Sequence, residues 1–185
     1  MQSEKFKVQI FELTEQITID GKAYRIRSDF RVVLEIFVML QDPELDDGDR
    51  TEALMRMFYV DRPADTEAAI EAFASFVDPR PRNGRKRPGL VDWEADFELI
   101  AAAVNHVLGT ECRALPYLHW RTFLGAYMEI SPESLFSRVI SIREKTKTGR
   151  KLEKWEREWY RKNKDLVDLP MKYSESEKAL LEEWT

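Results

Sequence analysis

From Ser28 to Arg143, apolar side chains return at intervals of three and four residues in short runs, each closed by a proline, a glycine or an acidic turn. That spacing places them on one face of a helix, and helices this short are marginal in water when alone. They must pack on one another, so the chain is expected to be mainly α, a helical bundle of about six short helices. The first run holds Phe30, Val33, Leu34, Phe37 and Val38 after the candidate caps Ser28 and Asp29, and stops at Asp42-Pro43. The second is expected to open at Asp49, with Glu52 closing a capping box, and to carry Leu54, Met57 and Phe58. The third starts near Asp65, after Pro63, and buries Ala69, Ile70, Phe73, Phe76 and Val77. A fourth runs from Asp92 as cap to Gly109, with Trp93, Phe97, Ile100, Ala101, Val104 and Leu108 inward. The fifth spans Pro116 to Met128, and the sixth opens at Ser131-Pro132 and is lined by Leu135, Val139, Ile140 and Ile142.

Ahead of the helices the period is two. Phe6, Val8 and Ile10 alternate with Lys7, Gln9 and Phe11, and Ile17-Thr18-Ile19 and Tyr24-Arg25-Ile26 flank Asp20-Gly21, a strong two-residue hairpin signal. A β-hairpin is expected over residues 16 to 27, with room for an earlier strand. Such a hairpin must lean on the helices or on another subunit. Beyond Gly149 the residues turn mostly charged. Lys151 to Lys164 reads as a helix with a narrow stripe of Leu152, Trp155 and Trp159, and Ser174 to Trp184 pairs Ser174 with Glu177 ahead of Leu180, Leu181 and Trp184. The expected division is therefore a hairpin plus bundle over residues 1 to 148, with a mobile basic loop at 78 to 90, followed by a charged helical arm over 149 to 185. That arm either docks back on the bundle or waits for a partner.

Charge alternates in blocks. Residues 1 to 79 carry 9 cations against 17 anions, 80 to 89 carry 5 cations and no anion, 90 to 142 carry 3 against 7, 143 to 164 carry 10 against 4, and 165 to 185 carry 2 against 6. Such blocks pair within a chain or between copies of it. The 185 residues allow one ordinary domain with an appended tail. No apolar run approaches the length of a membrane span, and Met1 to Lys7 is charged where a signal peptide would be apolar. One cysteine, Cys112, cannot form an internal disulfide. A cytoplasmic protein is expected.

Reactive constellations are hard to find. His106, Cys112 and His119 are spaced H-x5-C-x6-H, which matches no zinc pattern. His119, beside Trp120, reads as a packing and hydrogen-bonding residue, and Cys112, just past a helix stop, as a small partly buried side chain. No glycine-rich phosphate loop, nucleophile elbow or Ser-His-Asp order stands out. The acids Asp46 and Asp47, or Asp92, Glu94 and Asp96, suit a solvated turn and a negative helix start better than a cation site. No enzyme, cofactor or metal is expected. Arg80 to Arg87 and the cations from Arg143 to Lys164, with Trp155, Trp159 and Tyr160 interleaved, raise nucleic-acid binding, but the acidic balance ranks that below a protein partner. Trp93, Phe97, Trp120, Phe123, Tyr127 and Phe136 recur at helical spacing and are read as core. Trp155, Trp159, Trp184 and Leu180 are harder to bury and are candidates for contact with another chain.

Two stretches carry a resemblance. Asp92-Trp93-Glu94-Ala95-Asp96-Phe97-Glu98-Leu99-Ile100 is followed by Leu118-His119-Trp120-Arg121-Thr122-Phe123, and then by Phe136, Val139-Ile140 and Ile142-Arg143. This order resembles a family of small tail-assembly proteins of long-tailed bacteriophages, encoded in the tail gene cluster near the tape-measure protein. The likeness runs from about Ile17 to Leu169 and is most specific from Val91 to Arg143. Its motif positions are Asp92, Trp93, Asp96, Ile100, His119, Trp120, Phe123, Ile140 and Arg143, all structural. The resemblance implies a tail assembly chaperone that binds the tape-measure protein while the tail-tube protein polymerises. It further implies residence in the host cell cytoplasm during assembly and absence from the mature virion. The alternative is a structural tail component, a terminator or joining protein, and behind it a nucleic-acid-binding regulator.

Overall fold

Asp20 and Gly21 both sit at positive φ, 49° and 78°, the type I′ geometry whose twist suits a two-residue hairpin. In the computed structural model, which describes the backbone of residues 6–7 and all of residues 12–78 and 89–173, this turn joins β2 (Gln16–Ile19) to β3 (Lys22–Arg25). Ile19 faces Lys22 and Ile17 faces Tyr24 across the antiparallel pair. A two-residue strand, β1 (Phe6–Lys7), pairs antiparallel with the other edge of β2, so the sheet order is β1-β2-β3. Ile17 and Ile19 share one face and are buried with Tyr24. The protein is mainly helical with this N-terminal hairpin, as expected.

The described chain divides into two compact units. The first comprises residues 1–82, 117–122 and 172–185; the second comprises 83–116 and 123–171.

In the first unit the sheet is followed by α1 (Phe30–Leu40), α2 (Asp47–Phe58) and α3 (Thr66–Val77). Each begins where an aspartate accepts a backbone N–H: Asp29 from Arg31, Asp46 from Asp49 and Asp65 from Ala68. The second cap is a correction to the expected Asp49. Asp46 lies far enough upstream to bond the third helical amide, and Glu52 pairs with Arg62 instead of returning to the cap. The core is aromatic. Phe58 meets Tyr59 and Phe73, each with ring centroids 4.9 Å apart and nearly perpendicular, and lies 5.3 Å from Phe76. Burying each ring is worth about 1.5–3 kcal/mol. Ile70, expected inside, is 37% exposed, while Ala68, Ala69 and Ala72 are buried. The small residues let α3 approach the sheet and α2 closely, and Ile70 is turned outward.

The second unit contains α4 (Phe97–Leu108), a 3₁₀ turn at Cys112–Ala114, α6 (Leu135–Lys147), α7 (Lys154–Lys162) and α8 (Lys164–Val167). Helix α5 (Trp120–Met128) opens in the first unit and continues into the second. Three starts differ from expectation. Asp92 caps a turn over residues 93–96, accepting from the amides of Glu94 and Ala95, so α4 begins later, at Phe97. Residues 117–119 are extended because their backbone is paired elsewhere: Leu118 C=O accepts from Phe30 and Ser28 C=O from Trp120. Ser131 accepts from Glu133 to close a separate turn, and Ser134 is the cap of α6, accepting from Ser137. Leu135, expected inside, is therefore at the first helical position and 44% exposed. The ends follow the glycines, with Gly109 and Gly149 each at φ 69° past α4 and α6.

Candidate functional site

The buried His119 and Trp120 and the half-buried Arg121 form one knot in the first unit. Between the extended segment and α5, His119 is 2% exposed; its Nε2 lies 3.1 Å from the Thr14 carbonyl and its Nδ1 accepts the Arg121 amide. With both ring nitrogens engaged, the imidazole serves as a strut. The Trp120 indole N–H donates to the Val77 carbonyl at 3.1 Å, and Phe37 meets its ring edge-on at 5.6 Å. Arg121 lies 5.7 Å over the Phe76 ring, and burial holds its guanidinium below the usual range. Its Nε and Nη2 are buried without an acceptor.

In the second unit the acidic start of the motif and the end of α6 form one polar centre. Asp96, 2% exposed, accepts from Arg143 through both oxygens, at 2.6 and 2.9 Å, and also from the amide of Asp92. Arg143 further donates to the carbonyls of Val167, Leu166 and Leu90. A buried guanidinium with this many acceptors makes a satisfied structural ion pair. Lys147 donates to the Gly89 carbonyl beside it. Ile100 and Phe123 are fully buried; Trp93 and Ile140 are half-buried, with the Trp93 ring 5.4 Å from Tyr127. The structural motif positions thus resolve into one set in each unit.

The charged helix α7 docks onto α6. A capping box joins Glu153 and Glu156, and the Glu156 carboxylate, 3% exposed overall, takes the Lys145 ammonium at 2.6 Å. That hydrogen bond holds Glu156 below the ordinary carboxylate range. The Tyr160 hydroxyl donates to Asp168 at 2.7 Å, which pushes its phenol up. Beside Glu156 on α7, Trp159 is half-buried with the Arg138 guanidinium 5.7 Å over its ring, while Trp155, one turn before it, is 56% exposed. Of the candidate contact residues, Trp155 and Trp159 therefore share one face; Leu180 and Trp184 lie outside the described residues, as do Arg80 to Arg87 of the basic loop.

The remaining chemistry is local. Cys112 is buried, its amide donates to Asn105, and burial pushes its thiol up. Neighbouring Glu111 is held down to about 2 by hydrogen bonds from Arg113. Cys112 and His106 belong to the second unit and His119 to the first. Among the described residues no three His, Cys, Asp or Glu side chains gather as metal ligands would. A groove of about 390 Å³ opens between α4 and α6, walled by Leu99, Ala102, Ala103, Ile130, Leu135 and Phe136.

The family model described as Bacteriophage Gp15 protein matches residues 11–169. The chain belongs to that family. The match takes in both structural sets, the docked α7 and α8, and the groove, and it ends one residue past Asp168. No curated protein and no solved structure matches the chain. The bacteriophage assignment agrees with the resemblance read from Asp92 to Arg143. Three features of this Gp15-family chain were not read from the sequence: the Asp96–Arg143 pair, the Arg138–Trp159 stack and the groove. The run Ala101-Ala102-Ala103, whose last two members line the groove, was the one available signal for it.

Proposed function

We propose that this bacteriophage protein is a tail assembly chaperone, binding the tape-measure protein in the host cell cytoplasm while tail-tube subunits polymerise, and leaving before the virion is complete. The observation that carries the reading is Trp155, a large aromatic side chain 56% exposed on a helix with four cations, in a chain of a bacteriophage family. Exposed tryptophan on a helix that also carries Arg157 and Arg161 is the composition of a protein contact. A tape-measure helix presents apolar stripes before its tube encloses it, and covering them by helix-on-helix contact needs surfaces of this kind. In this reading Trp155 and Trp159 form the described part of the contact, and Leu180 and Trp184 extend it.

The test is co-expression with the tape-measure protein encoded nearby, followed by affinity pull-down and quantification of soluble tape measure. Recovery of a complex, with tape measure insoluble when expressed alone, is the expected result, and Trp155→Ala should lower the yield several-fold. A soluble chain recovered alone sinks the proposal. Stoichiometric protein in purified virions by mass spectrometry would instead assign a retained structural component, a terminator or joining protein.

A further inference from the structure

Two features of the second unit fit each other although they belong to the same chain. The α4–α6 groove is apolar along its floor and bears Glu133 on its wall, with Glu129 exposed just before Ile130. The ordinary helical period puts Trp155 and Lys162 nearly in line on α7, seven residues apart, with Lys154 and Arg161 along one flank and the exposed Glu158 between, a net excess of cations. Lys154, Arg161 and Lys162 are exposed and have no ion-pair partner among the described residues. The groove thus offers an apolar slot with an acidic edge, and α7 an exposed indole with a basic edge.

We propose that the groove is the docking site for Trp155 of a second copy of this chain, with the α7 cations set against Glu133. The charge complementarity selects this occupant. The contact takes the exposed indole of one copy out of water and fills the open groove of the other, so both apolar liabilities are covered at once. Made reciprocally it closes a two-fold dimer; made head to tail it forms a ring where the rotation closes and an open filament where it does not. Because the contact uses Trp155, it also hides that residue in the unloaded protein, and a tape-measure segment would have to displace the second copy. That last step alone rests on the function proposed above.

Sedimentation velocity on the full-length protein by itself tests the contact over a range of concentrations, independently of any tape-measure experiment. Wild type is expected to self-associate reversibly. Trp155→Ala should weaken that association at least about tenfold, the effect of losing a desolvated aromatic anchor. Leu135→Asp places a charge on the groove wall at the exposed first turn of α6, where an acid suits the helix, and should weaken association equally. Mixing these two variants leaves one intact Trp155 and one intact groove, and should restore a one-to-one heterodimer. Glu133→Lys should also weaken association, and Lys162→Glu added to it should recover part of the loss. Circular dichroism of each variant reports that the fold is kept. A wild type that stays monomeric, or a Trp155→Ala variant that associates as wild type does, overturns the proposal, and neither result touches the tape-measure pull-down.

Discussion

Arg143 on α6 reaches back 47 residues to Asp96, ahead of α4, and holds it through two hydrogen bonds of 2.6 and 2.9 Å, with both side chains almost wholly removed from water. The same guanidinium takes the carbonyls of Leu166 and Val167 from α8 and of Leu90 from the segment entering the turn. One side chain therefore ties the acidic turn ahead of α4 to the docked C-terminal helices.

Truncating Arg143 to alanine leaves a buried carboxylate and three carbonyls without their donor. The expected loss of stability is about 3–5 kcal/mol in urea unfolding, the cost of breaking a buried pair from one side. Arg143→Lys should recover little of it, since an ammonium cannot serve a bidentate fork and the carbonyls together. A double-mutant cycle with Asp96→Asn should show coupling above about 1 kcal/mol. Additive single effects would show that the pair does not act as a unit.

Glu156 gives the acid limb of stability a definite sign. Its folded pKa lies below the ordinary value because Lys145 hydrogen-bonds the carboxylate. Its contribution is therefore fully present above about pH 4.3, the unperturbed value, and is lost as pH falls through the lower folded one. Glu156→Gln keeps a cap for the Glu153 amide while removing the charge. Its unfolding free energy should fall by about 1–2 kcal/mol at pH 7, and the gap to wild type should close below pH 4. An unchanged gap at pH 3 would contradict the assignment.

The Tyr59 hydroxyl donates to the Ala69 carbonyl at 2.8 Å inside the first unit, and burial pushes its phenol above the ordinary range. A raised pKa stabilises the protonated form, so this contribution holds below about pH 10 and is lost as pH climbs toward the folded value. Tyr59→Phe should cost about 1 kcal/mol at neutral pH through the orphaned carbonyl. It should also make the alkaline decline of melting temperature shallower. A decline as steep as that of wild type would remove Tyr59 as its source.

Gly21→Val forces a β-branched residue to φ 78° in the hairpin turn. The strain should destabilise the protein by about 1–2 kcal/mol, read as a lower urea midpoint with an unchanged slope. Open space surrounds the position where a Cβ would be added, so no clash confuses the result. Stability equal to wild type would mean that the turn relaxes to another type.

The hairpin was legible because Asp20-Gly21 is a local signal: two adjacent residues tolerate positive φ at low cost. The helices were legible because apolar spacing reports a face, and Asp29, Asp65 and Gly109 mark ends through their own backbone bonds. Where the reading slipped, a distant part of the chain had taken the groups in question. Asp92 caps a turn rather than α4, and the Asp96 that follows belongs to Arg143. Pro116 to His119 could not be helical while the segment at Ser28–Phe30 used its backbone. Ile70 lost its place inside to the alanines beside it, a choice made by how closely α3 packs.

The candidate contact residues divide in the same way. Composition pointed to Trp155 and Trp159 because two indoles on so charged a helix have few places to hide. Their different fates were set by α6, whose Arg138 and Lys145 meet one face of α7 and leave Trp155 in water. By itself the sequence determined the local geometry and the family, since turn chemistry, capping and apolar period act within a few residues. Ion-pair partners, the groove and the exposed tryptophan were decided by the tertiary structure, because each depends on which surfaces meet across tens of residues, and no local period encodes that distance.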